Sequence, residues 1–266
     1  MIAIDKACYH SKLRYENPEQ KILYGVITLL ICVAGKSYGV AVVVFLVNTY
    51  LIVHKSGVAY SKYLHYMKIP LTFILLSTIS IMINFSKQPL DAFAVLLPFT
   101  IEGSNIYMTS SVESFYFAGL LILTALASVT NLYFISLTTP MPDILMVMQE
   151  AKVPVLFVEL MLLIYRYIFI LLEVADNIHK AQLVRLGNKD YKTSIQSFGQ
   201  LISVLFIRAM KKSNALYDAM EARGYDGRIN VLKESKESKK VVTLAIVCFE
   251  IMLVGIIVLE VILKNS

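Results

Sequence analysis

Charge is scarce in this chain of 266 residues: Asp, Glu, Lys and Arg make up 17% of it, against roughly 25% in a soluble domain. Hydrophobic residues reach 57%, and the mean hydropathy is +0.66. That balance excludes disorder and argues against a soluble globule. Glycine (11) and proline (7) are sparse and follow no period, which excludes collagen-like and low-complexity classes. Cysteine is limited to Cys8, Cys32 and Cys248, far apart in the chain, so neither a disulfide framework nor a paired-cysteine metal site is indicated. His-Glu-x-x-His, Gly-x-Ser-x-Gly and Asp-rich pairs for magnesium-diphosphate chemistry are all missing. Gly35-Lys36-Ser37 imitates the end of a phosphate-binding loop, yet Leu30 stands where the first glycine belongs. Cys8-Tyr9-His10 offers two metal ligands and no nearby third. The first twenty residues mix polar and charged types and predict no cleavable signal.

What remains is a polytopic membrane protein. From Asp176 to Lys240 there are 13 Lys and Arg against 7 Asp and Glu, which accounts for the whole net charge of +6. In so apolar a chain this block predicts a cytoplasmic membrane face rather than a nucleic-acid site. A helix needs about 20 apolar residues to cross about 30 Å of hydrocarbon. Ile22 to Val53, broken at Gly35-Lys36-Ser37, predicts a hairpin of two short helices. His54 to Lys68 carries Lys55, Lys62 and Lys68 without an acid and predicts a cytoplasmic connection that also holds His54 and His65. Leu71 to Ile83 predicts a third span, ending in a polar break at Asn84 to Gln88. Pro89 to Ile101 is too short to cross alone and predicts a re-entrant dip. Val112 to Leu137 and Val241 to Leu263 complete five crossings, which put the N-terminus inside and the C-terminus outside.

Val153 to Ala175 is apolar enough to be taken for a sixth span. If the stretches before and after it are both cytoplasmic, it cannot cross once. Lys152, Glu159, Arg166, Glu173 and Lys180 recur every seven residues with alternating sign. An α-helix drifts only about 20° per heptad, so the five trace a slowly turning stripe, about 10 Å apart and too distant to pair with one another. Their partners are expected elsewhere. The stripe meets water and headgroups, or it faces other helices in a packed interfacial bundle; either makes this helix amphipathic rather than spanning.

The pattern from Val153 should stop near Gly187-Asn188, with Arg185 in its last turn. A second helical pattern, Ile195 to Ala222, should stop at Gly224, with Arg223 in its last turn and Tyr191 to Gln196 as the connector. A cation near a helix C-terminus is favoured by about 0.3–1 kcal/mol through the helix dipole, a local reason for both arginines. Ala219-Met220-Glu221-Ala222-Arg223-Gly224-Tyr225-Asp226-Gly227, however, closely resembles the Ala-Met-x-Ala-Arg-Gly-aromatic-x-Gly signature of the transmembrane T component of energy-coupling factor (ECF) transporters of the cobalt-associated CbiQ type. Thr138-Thr139-Pro140, Tyr165 to Phe169, Leu205 to Ala209 and the Asp5 to Pro18 stretch resemble the same family.

The resemblance implies an all-α polytopic membrane protein: about five transmembrane helices and a cytoplasmic region of about three amphipathic coupling helices. Its divisions would be 1–138 membrane helices, 139–240 coupling region and 241–266 a last transmembrane helix. It implies a non-catalytic subunit in the cell membrane, without a cofactor of its own, that rests on two ABC-type ATPases binding the ATP. Its other partners would be membrane lipid and a substrate-binding membrane subunit, a cobalt receptor, with nickel or vitamins as alternative cargo. Arg223, between the small residues Ala222 and Gly224, would insert into one ATPase. Arg185 is assigned to the other by position, although Val184 and Leu186 depart from Ala-Arg-Gly. Glu159, Arg166 and Glu173 form the polar stripe of the coupling helix. Two alternatives differ in class: a membrane enzyme using Arg166, Arg185 and Arg223 to clamp a lipid-linked or anionic substrate, and a conventional ABC permease with its own substrate path.

Overall fold

The computed structural model describes residues 7–82, 84–86, 99–100, 107–109, 112–227 and 238–265. Among the described residues eight longer helices carry the fold: α1 (Pro18–Gly35), α2 (Tyr38–Tyr50), α3 (Tyr60–Met82), α4 (Val112–Thr138), α5 (Met141–Glu150), α6 (Val155–Val184), α7 (Tyr191–Glu221) and α8 (Lys240–Asn265). Five described segments are long and apolar enough to cross a bilayer: Pro18–Gly35, Tyr38–Lys55, Phe115–Thr138, Val155–Val184 and Lys240–Leu263. The all-α polytopic expectation holds, but this set of five differs from the one read off the sequence. Val155–Val184 is in it, and the span expected at Leu71 to Ile83 runs to the edge of the described residues. That segment is the second half of α3, which starts at Tyr60 and carries Lys62, His65 and Lys68 in its first half, with Pro70 inside it. The connection expected at His54 to Lys68 is therefore mostly helix: Leu51–Lys55 is a π-helical extension of α2, and His65 lies within α3.

Three short strands, β1 (Asn84–Ser86), β2 (Phe99–Thr100) and β3 (Tyr107–Thr109), form an antiparallel sheet in the order β1-β3-β2, with Phe85 opposite Met108. The polar break at Asn84 is thus partly strand. Of the expected dip at 89–101, only Phe99–Thr100 is described, and it is extended.

The chain divides into two compact units, Ile2–Pro140 with Lys236–Ser266, and Met141–Ser235. In the first, α4 packs against α1, α2 and α3, and α8 packs against α1 and α2. Asn17 caps α1 by accepting from the Glu19 N–H at 2.8 Å, with Pro18 at the first helical position. The predicted break is a tight reversal: Lys36 is left-handed (φ 44°) and Ser37 caps α2 through the Val40 N–H. One cluster of the core gathers Tyr24, Ile52, Tyr63, Met67, Phe134 and Leu137; another gathers Cys32, Val40, Ala41, Val44, Ala127 and Leu253.

Polar side chains thread this core in pairs, as an apolar solvent requires. Tyr24 donates to Asn48 Oδ1 at 2.8 Å, Asn48 donates to Asn131 Oδ1 at 3.2 Å, and Asn131 donates to the Gly25 carbonyl at 2.6 Å. Thr28 donates to Glu250 Oε1 at 2.6 Å. The buried Lys21 ammonium donates to the carbonyls of Leu13 at 3.0 Å and Thr138 at 2.9 Å, tying the N-terminal segment to the end of α4. A cation there also meets the negative end of the α4 dipole.

Candidate functional site

The unit Met141–Ser235 holds every residue singled out for coupling. Its main elements are α6, 30 residues, and α7, 31 residues, each about 45 Å long at 1.5 Å per residue. They pack as an antiparallel pair. The turn between them is shorter than expected, because α7 starts at Tyr191 rather than at Ile195.

Both helices end in the same hydrogen-bond pattern. At the end of α6, Gly187 N–H donates to Gln182 O at 2.8 Å and Leu186 N–H donates to Leu183 O at 3.0 Å. At the end of α7, Tyr225 N–H donates to Met220 O at 3.0 Å and Gly224 N–H donates to Glu221 O at 2.9 Å. These are two Schellman closures, in which a left-handed residue reverses the chain and satisfies the last carbonyls. Arg185 immediately precedes the left-handed Leu186 (φ 58°), and Arg223 immediately precedes the left-handed Gly224 (φ 76°). The two arginines therefore occupy equivalent positions.

The glycine expected to end α6 has a different task. Gly187 does not have a positive φ; a Cβ on it would lie 2.8 Å from Ser197 Oγ, whose hydroxyl donates to the Gly187 carbonyl at 2.8 Å. Gln182 donates to the Ser197 carbonyl at 2.7 Å, which fastens the end of α6 to α7. Gly224 is the reverse case: its Cβ would meet nothing within 4 Å, so only its backbone angle calls for glycine. Beside Arg185 in the chain, Val184 and Leu186 are 86% and 69% exposed, two bare apolar neighbours.

The heptad stripe is only partly a stripe. Lys152 lies outside α6, left-handed (φ 63°) in the turn after α5. Lys180 pairs with Asp176 at 2.6 Å, one turn back on its own helix, and so finds its partner where none was expected. Glu159 is buried at 4% exposure and accepts from the Tyr225 hydroxyl at 3.4 Å, while Arg166 and Glu173 are exposed. Burial and the Glu159 carboxylate push the Tyr225 phenol above its ordinary value. This bond draws the motif after Arg223 onto the first turn of α6.

Arg166 lies on a cleft of about 300 Å³ between α6 and α7, which it shares with Lys212 and Arg223; Leu163, Ile170 and Leu216 help to form its apolar wall. Lys212 and Tyr225 are participants that sequence reasoning missed. Lys212 precedes Arg223 by eleven residues, about three helical turns, a spacing that could have marked a shared face. Arg185 is elsewhere, about 28 Å along α6 from Arg166 at 1.5 Å per residue. Arg166, Arg185 and Arg223 therefore do not converge on one substrate, and the three-arginine clamp imagined for a membrane enzyme is not formed. Among the described residues there is no group of three His, Cys, Asp or Glu able to hold a metal.

A family model described as "Cobalt transport protein" (CbiQ) matches residues 10–234. The chain belongs to this CbiQ family. An uncharacterised protein of Methanocaldococcus jannaschii is 31% identical over 94% of this chain and 91% of its own length. The cobalt transport protein CbiQ of Salmonella typhimurium is 23% identical over 85% of this chain and 98% of its own. The energy-coupling factor transporter transmembrane protein EcfT of Ruminiclostridium cellulolyticum is 35% identical over 49% of each chain. Membership of the CbiQ family and the five candidate spans make this a multi-pass membrane protein.

Proposed function

We propose that this chain is the energy-transducing membrane subunit of an ECF-type importer, most directly one for cobalt, and that it does no catalysis itself. Two ABC-type ATPase partners bind and hydrolyse the ATP, and a separate membrane subunit captures the cargo. In this reading the N-terminus and the unit Met141–Ser235 face the cytoplasm, and the C-terminus faces outside. Relatives named for cobalt transport and for an energy-coupling factor support the class of machine.

The observation that carries the mechanism is the matched placement of Arg185 and Arg223 at two identical helix closures. They cap the C-terminal ends of antiparallel rods, so they sit towards opposite ends of the pair, as a scaffold with one ATPase at each end requires. A guanidinium keeps its charge and presents a planar fork to carboxylates, so it grips without slipping when the rod moves. When ATP draws the ATPases together, α6 and α7 transmit that movement as stiff levers towards the substrate-binding subunit.

Purification of the assembled complex from membranes tests the reading. Arg185→Ala and Arg223→Ala should each weaken retention of one ATPase by roughly tenfold or more, as for a truncated interfacial charge pair, and the double variant should release both and abolish uptake. Full ATPase retention and normal uptake by the double variant would refute it.

A further inference from the structure

The cleft between α6 and α7 presents Arg166, Lys212 and Arg223 together, and no carboxylate lines it. Among the described residues none of the three takes part in an ion pair. The nearest acids on α6 are the buried Glu159, occupied by Tyr225, and Glu173, seven residues and about 10 Å from Arg166. Three exposed cations on one cleft, none paired within the described chain, focus a positive potential that suits an anion from outside it. The surface running into the cleft indicates its source. α6 leaves Leu156, Phe157, Leu160, Ile164, Ile168 and Leu172 exposed and is apolar enough over its length to enter hydrocarbon, so this helix suits acyl chains alongside a cationic pocket. Basic pockets between helices at a membrane's cytoplasmic side are suited to anionic headgroups.

The geometry points to a binding site for the phosphate of an anionic phospholipid, held by Arg166 and Lys212 with its acyl chains along the apolar face of α6. This inference needs no ATPase contact, and it leaves the fork of Arg223 available for a protein partner.

The test uses the full chain in nanodiscs of mixed phosphatidylcholine and phosphatidylglycerol, followed by native mass spectrometry of the lipid that survives detergent release. The wild type should retain phosphatidylglycerol in preference to phosphatidylcholine. Arg166→Gln with Lys212→Gln should lower that retention by roughly 20- to 30-fold, the worth of two interfacial cations. Arg166→Lys, which keeps the charge, and Lys180→Gln, which lies outside the cleft, should retain the lipid, so a general folding defect is separated from loss of the site. Excess inorganic phosphate should leave the lipid in place; displacement would make this a free-phosphate site and overturn the proposal. Equal retention by wild type and double variant would overturn it too. So would undiminished lipid together with a loss of ATPase binding in the double variant, which would assign the cleft to an acidic protein surface.

Discussion

The Tyr225 hydroxyl donates to Glu159 Oε2 at 3.4 Å, joining two residues 66 positions apart. It fixes the segment just after Arg223 to the first turn of α6, so the arginine at the end of α7 is carried by both helices. Tyr225→Phe should keep the ring and lose this tie. The folded chain holds the phenolic proton more tightly than the unfolded chain, because the phenol is raised by burial and by Glu159. The bond's contribution is therefore complete below the ordinary tyrosine value of about 10 and fades as pH rises through the higher folded value. Thermal unfolding across an alkaline pH series should show the wild type losing an advantage over Tyr225→Phe that it holds at neutral pH. Parallel curves for the two proteins at every pH would remove Tyr225 from this role.

Leu186 and Gly224 occupy the same left-handed slot, and substitution should act on them with opposite sign. A left-handed conformation costs an ordinary L-residue about 1–2 kcal/mol. Leu186→Gly should relieve part of that strain, offset by the greater freedom of glycine when unfolded, for a net gain of up to about 1 kcal/mol. Gly224→Ala should cost about 1 kcal/mol, with no steric contribution because the space beside it is open. Denaturant unfolding of the purified chain compares the two. If Leu186→Gly stabilises the fold but weakens ATPase retention, the exposed leucine is kept for docking at the expense of backbone ease.

These ends also show what could be read in advance. Arg223-Gly224 was legible because glycine is the residue a left-handed closure prefers, and the rule is local. The same rule puts the end of α6 near Gly187, but the left-handed residue is Leu186, and a Cβ on Gly187 would meet both Ser197 of the next helix and the Gln182 carbonyl of its own. Periodicity along one helix cannot show the contact with Ser197. For the same reason the stripe Glu159, Arg166 and Glu173 was visible as a spacing, whereas Lys212 and Tyr225, which meet it across the helix pair, were not. The start of α3 was hidden because Lys62 and Lys68 read as a polar connection, although lysine is well tolerated in a helix.

Lys21 is 6% exposed, and its ammonium is held by two carbonyls, those of Leu13 and Thr138. Replacing it with methionine of similar length would leave both acceptors without this donor and remove a cation from the end of α4. Hydrogen bonds to a charged group are worth about 1.5–3 kcal/mol each, partly offset by the desolvation the ammonium no longer suffers. Lys21→Met should therefore destabilise the membrane unit by about 2–4 kcal/mol, read as a lower Tm in detergent and less protein in membranes. A Tm within a degree of the wild type would show that the carbonyls find other donors.

The placement of α6 decides whether the lever reading is physically sound. At 30 residues it is long and apolar enough to cross, and length alone would place it through the bilayer. If it did cross, Arg166 and Glu173 would each lie within about 6 Å of its midpoint. An arginine or acidic residue at that depth costs about 2.5–3.5 kcal/mol on insertion scales. Lying along the interface, the same helix keeps Arg166 and Glu173 at headgroup level and buries its apolar side in the acyl boundary. Single cysteines at Gln149 and Asn188, both exposed and on either side of α6, report on this once Cys8, Cys32 and Cys248 are replaced by serine. A membrane-impermeant maleimide should label both from the cytoplasmic side of inverted vesicles and neither from intact cells. Labelling of the two sites from opposite sides would mean that α6 crosses, and the levers would then have no common plane on which to move.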